Sequence, residues 1–149
     1  MEQTRKTRDT ISQWLTDQGH RLTRPRRAIL AVLSASDRPL TVDMVHSQVA
    51  SQHVNRVTVY RNVHLLAAAG ILRVVDATRE GFRYELGEQF TGHHAFLVCQ
   101  KCGRIDKTAE CPVPTEALAR LSRRVKHANQ FRVVEHELRL LGLCRACHA

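Results

Sequence analysis

Two pairs of cysteines constrain this chain more than any other feature of its sequence. Cys99 and Cys102 flank two residues in VCQKCG, and Cys144 and Cys147 repeat that spacing in LCRAC. Four thiolates in such pairs suit a tetrahedral zinc ion, which then keeps no open position for water. A single pair can also be a redox site, but neither lies in a thioredoxin-like strand–helix–strand context. The spacing therefore predicts one structural zinc, for which the chain must fold back on itself.

The remaining composition indicates a cytoplasmic protein. Five cysteines are an odd number and do not suit a disulfide framework. The fifth, Cys111, has no partner at ligand spacing and is expected to be a small buried or surface residue. No apolar run approaches the roughly 18 residues of a membrane span, and the polar N-terminus lacks a signal-peptide core. We therefore expect no membrane partner.

The charge of the chain indicates a nucleic-acid partner. Lys and Arg number 23 against 14 Asp and Glu, a formal net charge of +9. Four arginines fall close together; an ordinary solvated face is the alternative explanation of such a cluster. The cluster consists of Arg21, Arg24, Arg26 and Arg27.

Apolar spacing predicts four short helices in the first half of the chain. Thr23 and Thr41 are expected to cap the second and third helices. The fourth helix has a single apolar stripe, and Gly70 follows as its C-terminal cap. The stripe consists of Val59, Val63, Leu66 and Ala67, and the opposite face carries Arg56, Tyr60, Arg61 and His64.

Two strand-like segments, LRVVD (72–76) and FRYEL (82–86), follow the helices and predict a hairpin with Gly81 in its turn. Helices followed by such a hairpin describe a winged helix-turn-helix, whose last helix enters the major groove of DNA. Arg56 and Arg61 could then reach bases or phosphates, and the arginine cluster could bind the flanking backbone. Ordinary surface residues of an amphipathic helix are the alternative.

The second half predicts a small α/β module, so the whole chain is expected to be α+β. GEQFTG contains two glycines and no periodicity, which is typical of a hinge. We expect a winged-helix domain over residues 1–87, a hinge over 88–92 and the α/β module over 93–149. Within that module, strands are expected at 93–99, near Ile105 and through 131–141, and a helix at 115–127.

Histidines and glutamates supply further candidate ligands. His93 and His94 are adjacent, so on a strand they would point to opposite faces and could serve two sites. Glu85 is expected on the outer face of the wing strand, Glu116 at the start of the late helix, and His136 on the last strand. Spacing alone does not join these residues.

Five segments in order resemble the ferric uptake regulator (Fur) family of metal-responsive bacterial repressors. RLTRPRRAIL is similar to the family's opening LTxxR…IL, and RVTVYRNVHLLAAAGI to its recognition-helix pattern ATVYRxLxxLxxxGI. FRYEL resembles the end of the family's wing. HHAFLVCQKCG and HELRLLGLCRAC resemble its HHHHLxCxxCG and HxLxLxGxCxxC segments.

The resemblance implies a homodimer that presents two winged helices to a pseudo-palindromic operator. Residues 93–149 would be the dimerisation and metal-binding domain, and metal loading would repress genes for metal uptake. The four paired cysteines match the family's structural zinc ligands. Thr58, Tyr60 and Arg61 match its DNA-contacting helix.

The family's sensing sites match less completely. One uses a residue matching Glu85 and histidines five and three positions before the first cysteine, which here are His94 and Phe96. A second matches His93, His136 and approximately Glu116, but its acidic ligand falls at Ala95. We therefore expect a regulatory site built from some of these residues. It would bind zinc or ferrous iron, with manganese also possible.

Other functions remain open at this point. The family also includes peroxide sensors, but Phe96 and Lys107 stand where that branch usually has a histidine and an acid. A metal-independent regulator with a decayed sensing site is another alternative. From a different class, a zinc hydrolase could use His93, His94 and His136 with Glu116 as base, although HExxH and the deaminase motif are absent.

Overall fold

The computed structural model describes residues 2–78, 81–134 and 136–148. It separates into two compact units, Met1–Gly92 and His93–Ala149. Each unit contains helices and one three-stranded sheet. No helix among the described residues is long and apolar enough to cross a membrane.

The N-terminal unit is built from four helices packed on a common apolar core. Thr41 caps the third helix, its hydroxyl accepting a hydrogen bond from the Met44 N–H at 3.2 Å, whereas the Thr23 side chain makes no capping bond. Pro25 lies in the first turn of the second helix, where its missing N–H costs no helical bond. The helices are α1 (Glu2–Asp17), α2 (Arg24–Ala35), α3 (Val42–Val49) and α4 (Arg56–Ala68), with the short strand β1 (Leu40–Thr41) before α3.

Helix α4 has firmly defined ends and a largely buried apolar stripe. The Asn55 side chain accepts a hydrogen bond from the Thr58 N–H at 2.8 Å, which caps the N-terminus. Gly70 has φ +70°, and paired backbone bonds from residues 70 and 71 close the last turn in a Schellman motif. Three of the four predicted stripe residues are 0% exposed, and the fourth, Ala67, is half-buried. The fully buried residues are Val59, Val63 and Leu66.

The predicted hairpin is present and forms the wing. Strands β2 (Leu72–Thr78) and β3 (Gly81–Leu86) pair in antiparallel fashion, and β1 adds to the other edge of β3 in the order β1-β3-β2. Gly81 has φ +110°, a conformation that suits glycine, but the residues before it lie outside the described part. Helices α1–α4 and this hairpin make a winged helix-turn-helix unit.

The segment predicted as a hinge forms a helical turn of the N-terminal unit, α5 (Glu88–Thr91). Phe90 packs on the core and lies edge-on to Trp14, with ring centroids 5.8 Å apart. The Trp14 indole N–H also donates to the Ala69 carbonyl at the end of α4, at 2.7 Å. A hinge function of these residues stays a prediction.

The sheet of the C-terminal unit has β4 (Phe96–Cys99) at its centre, with β5 (Ile105–Lys107) antiparallel and β6 (Arg139–Gly142) parallel to it, in the order β5-β4-β6. The prediction of a strand through 131–141 was wrong over most of its length, and His136 does not lie on a strand. Strand β4 offers only four residues for pairing, so β6 is equally short. The elements are β4 (Phe96–Cys99), β5 (Ile105–Lys107), α6 (Thr115–Asn129), β6 (Arg139–Gly142) and α7 (Arg145–His148).

Candidate metal centre and nucleic-acid interface

Parallel pairing of β4 and β6 brings the four paired cysteines together. Cys99 ends β4 opposite Gly142, the last residue of β6, so the two CxxC segments leave adjacent strand ends. Gly103, with φ +71°, permits the tight turn after the first pair. All four sulfur atoms lie within 4.8 Å of one another. Cys111 is not a member of this group.

The sulfur geometry fits zinc. Zinc–thiolate bonds of about 2.3 Å in a tetrahedron place neighbouring sulfurs roughly 3.8 Å apart. The Cys102 and Cys144 sulfurs are 3.7 Å apart, and the Cys144 backbone N–H donates to the Cys99 sulfur at 3.3 Å. Such amide donors neutralise part of the thiolate charge at a four-sulfur zinc site. The four ligands would saturate the ion, so the site is structural.

The protonation of the cysteines also indicates a cation site. Hydrogen bonds from the backbone of Cys144 and then Cys102 lower the pKa of Cys99 to about 6. By contrast, side-chain hydrogen bonds with Cys144 and Cys102, together with burial, raise the pKa of Cys147 to about 12. One thiolate is thus stabilised by the protein, but a full set of four needs a positive ion among them.

The predicted regulatory ligands occupy different environments. His93 is exposed and its ring stacks on that of His136, with centroids 4.9 Å apart and planes at 17°. His94 is only 7% exposed, and its ring lies nearly perpendicular to that of Phe96, with centroids 5.1 Å apart. Glu116 is exposed in the first turn of α6. The structure therefore brings His93 and His136 together. The two adjacent histidines differ in their environment, because His93 is exposed and His94 is buried.

Within the described residues of the C-terminal unit, the cysteines are the only set of three or more ligand atoms within 4.8 Å of one another. The two stacked histidines would therefore need ligands from elsewhere, such as water, to complete a metal site. Two imidazoles are ligands that zinc and ferrous iron both accept.

Glu85 differs from its sequence-based prediction. It was expected on the outer face of the wing strand, yet it is only 2% exposed. Its neighbours Tyr84 and Leu86 are buried as well, so both faces of β3 are covered at this end. Its carboxylate receives the Nε–H of Arg73 at 2.7 Å. Sequence reasoning missed Arg73, although the hairpin register places it directly opposite Glu85.

The α4 face predicted to contact DNA is exposed. Tyr60 is 55% exposed, Arg61 is exposed and Thr58 is half-buried. Arg56 is exposed too, but it forms a two-pronged ion pair with Asp43 of α3 at 2.6 and 3.1 Å. The hydrogen bond from Arg56 holds the pKa of Asp43 below its ordinary value. Arg56 must therefore leave or share this carboxylate to bind a phosphate.

The predicted arginines of α2 have different surroundings. Arg24 is exposed, whereas Arg26 is half-buried and its Nε–H donates to the Asn62 side chain of α4 at 3.0 Å. Asn62 in turn donates to the Thr58 carbonyl at 2.8 Å. Arg26 thus connects α2 to α4 and helps to position that helix.

Comparison with known proteins gives consistent results. The model of the ferric uptake regulator family matches residues 17–141. A ferric uptake regulation protein of Legionella pneumophila is 28% identical over 141 residues, 91% of this chain and 97% of that protein. A peroxide-responsive repressor of Staphylococcus saprophyticus is 26% identical, over 93% of this chain and 89% of its own.

Solved structures show the same fold. The Helicobacter pylori ferric uptake regulator, described with three functional metal-binding sites, superposes with a TM-score of 0.71 at 21% identity, over 97% of this chain and 93% of that chain. A zinc-bound manganese uptake regulator superposes with a TM-score of 0.60 at 30% identity, over 89% and 96%. The chain therefore belongs to the ferric uptake regulator family of metal-responsive transcriptional regulators.

Proposed function

We propose that the chain is a dimeric repressor that binds operator DNA when a regulatory zinc or ferrous ion is loaded. The observation that carries this proposal is the geometry of α4. Three of its four apolar stripe residues are fully buried, and its opposite face presents Tyr60 and Arg61 to solvent beside a wing. A helix held in this way can enter the major groove, where its side chains reach base edges.

DNA contact would involve the predicted residues in two roles. Arg61 and Tyr60 would touch bases or phosphates directly, together with Thr58 and the exposed Arg24. Arg56 would exchange Asp43 for a phosphate, since both groups of that pair are exposed and such a pair is worth little in water. Arg26 supports the helix through Asn62.

A homodimer formed through the C-terminal unit is supported by its exposed apolar side chains. Helix α6 has no buried residue, and β6 is an edge strand with Leu140 and Leu141 47% and 64% exposed. Phe131 and Val134 are 61% and 86% exposed. Surfaces of this kind usually mark an interface. A second copy of the chain would cover them and pair two winged helices for a pseudo-palindromic operator.

The stacked pair of His93 and His136 supports a regulatory metal site distinct from the structural zinc. Neutral imidazoles bind zinc and ferrous iron, and manganese less readily. His94, Glu116 and Glu85 were also predicted for this set. We propose no catalytic function, because four cysteines leave the structural ion without a position for substrate or water.

The test is operator binding titrated with metal. Full-length protein that retains its structural zinc would be used to select duplexes from a random pool with added zinc or ferrous iron. Fluorescence anisotropy would then give the affinity for the selected duplex with metal and with a chelator that spares the structural ion. We expect metal to strengthen binding at least tenfold. Equal affinity with and without every metal would refute metal control.

Replacement of Arg61 tests the DNA-binding face. R61A should weaken operator binding by about 1 to 3 kcal/mol, which is about 5- to 150-fold. R38A removes the same charge from an exposed position outside α4 and outside the C-terminal unit, and serves as the matched control. Equal losses for the two variants would show that α4 makes no specific contact.

A further inference from the structure

The base of the wing contains a small ion-pair cluster that is formed entirely by side chains of the protein, without a metal ion. Arg73 of β2 lies directly opposite Glu85 of β3, and Glu88 follows in α5. The Nε and Nη2 atoms of Arg73 both lie 2.7 Å from Oε1 of Glu85. Its Nη1 lies 2.8 Å from Oε1 of Glu88. One guanidinium thus joins the hairpin to the following helix.

The cluster is shielded from water. The exposed fractions of the side chains are 15% for Arg73, 2% for Glu85 and 17% for Glu88. A carboxylate buried to this degree needs a cation or several donors, since burial disfavours its charged form. An arginine meets this need at every physiological pH, and its planar donors suit a carboxylate.

We infer that Arg73 is the resident cation of Glu85, so that the glutamate matching a family metal ligand is here a structural ion-pair partner and not a regulatory ligand. A metal ion at the same oxygen would displace two charge-assisted hydrogen bonds. It would also place a second positive group beside a guanidinium that has little access to water. The wing and α5 are therefore joined without metal.

Exclusion of Glu85 leaves fewer candidate ligands for the regulatory ion, whose existence rests on the proposed function. That ion must be bound by the histidine set, of which His93 and His136 are the members that stack. Metal control would then act without the wing glutamate.

The decisive variant is E85Q, examined in the full chain with its structural zinc. Glutamine keeps the size of the side chain but removes the charge that Arg73 neutralises. We expect the affinity for the second zinc ion, which binds in addition to the structural zinc, to stay within twofold of wild type when it is measured by calorimetry. We also expect the midpoint of thermal unfolding to fall by at least about 10 °C. H93A should lower the same metal affinity at least tenfold.

A matched control is D43N, which neutralises the carboxylate of the exposed pair with Arg56. It should change neither the metal affinity nor the unfolding midpoint by a measurable amount. A tenfold loss of metal affinity in E85Q would overturn the inference. So would an E85Q midpoint equal to that of D43N.

Replacement of the arginine provides an independent test. R73M removes the guanidinium that pairs with Glu85 and Glu88, so added zinc should raise its unfolding midpoint more than it raises that of wild type. R73K keeps the charge and should show no such gain. An equal response to zinc in R73M and wild type would count against Arg73 as the resident cation.

The two hypotheses fail in different ways. If DNA binding by the wild-type protein ignores metal, the proposed function is wrong. In that case the midpoints of E85Q and D43N, and the zinc response of R73M, still decide whether Arg73 is the cation of Glu85.

Discussion

Two valines on the same helix allow the burial of the α4 stripe to be tested with one chemical change. Val63 is 0% exposed and Val57 is 58% exposed. V63A and V57A remove the same atoms. The gain in helix propensity, about 0.5 kcal/mol, applies in full to Val63 in the helix interior and only in part to Val57 in the first turn. The loss of stability in V63A relative to V57A therefore reports packing.

The expected difference follows from the two carbon groups removed. At about 0.8 kcal/mol per buried group the transfer cost is about 1.6 kcal/mol, and the cavity that remains adds to it. V63A should thus be less stable than V57A by about 2 kcal/mol. In a unit of this size that difference corresponds to about 8 to 16 °C in the unfolding midpoint.

Thermal unfolding of the full chain, followed by circular dichroism with structural zinc bound, measures this difference. V57A should unfold at or slightly above the wild-type midpoint. Equal midpoints for V63A and V57A would refute the orientation of α4, and with it the assignment of Tyr60 and Arg61 to the DNA-facing side.

Three further predictions concern the zinc site and the N-terminus of α4. C102S should lose the structural zinc by metal analysis, whereas C111S should keep one zinc per chain, because only Cys102 belongs to the tetrad; zinc retained in C102S would contradict the site. N55A removes the cap on Thr58 and should cost about 1 kcal/mol in chemical unfolding, and no loss would show that the cap is replaced by water. In metal-free protein the pKa of Cys99 is lowered from 9.0 to about 6. Its thiolate therefore stabilises the fold above pH 9, and this contribution disappears as the pH falls through about 6. Chemical unfolding should show the loss, and a C99S variant should lack it.

The sequence predicted the N-terminal unit well because its signals are local. The stripe of α4 and the glycine after it are independent signs of one helix, and the hairpin follows from two strand-like runs separated by a short link. The four cysteines were predicted as one site because each pair has the local spacing of zinc ligands, and a tetrahedral zinc ion takes two such pairs.

The sequence-based predictions were wrong where the local structure depends on residues that are distant in the sequence. Residues 131–138 have strand-like composition, but the four residues of β4 pair only with Arg139–Gly142. Glu85 was placed on an outer face because alternation along a strand does not reveal that both faces are covered. Its partner Arg73 becomes visible only when the register of the hairpin is known. Which of the proposed regulatory ligands come together also depends on contacts between residues that are distant in the sequence.

The contact of Trp14 with the end of α4 makes the protein its own spectroscopic probe. Trp14 is the only tryptophan in the sequence. Its indole donates to the carbonyl of Ala69, one residue after the end of α4, and it lies against Phe90. Emission from this single fluorophore therefore reports the polarity and hydrogen bonding at one defined point of the winged helix. Movement of α4 relative to α1 can be followed in unlabelled protein, in real time, during a stopped-flow experiment with DNA.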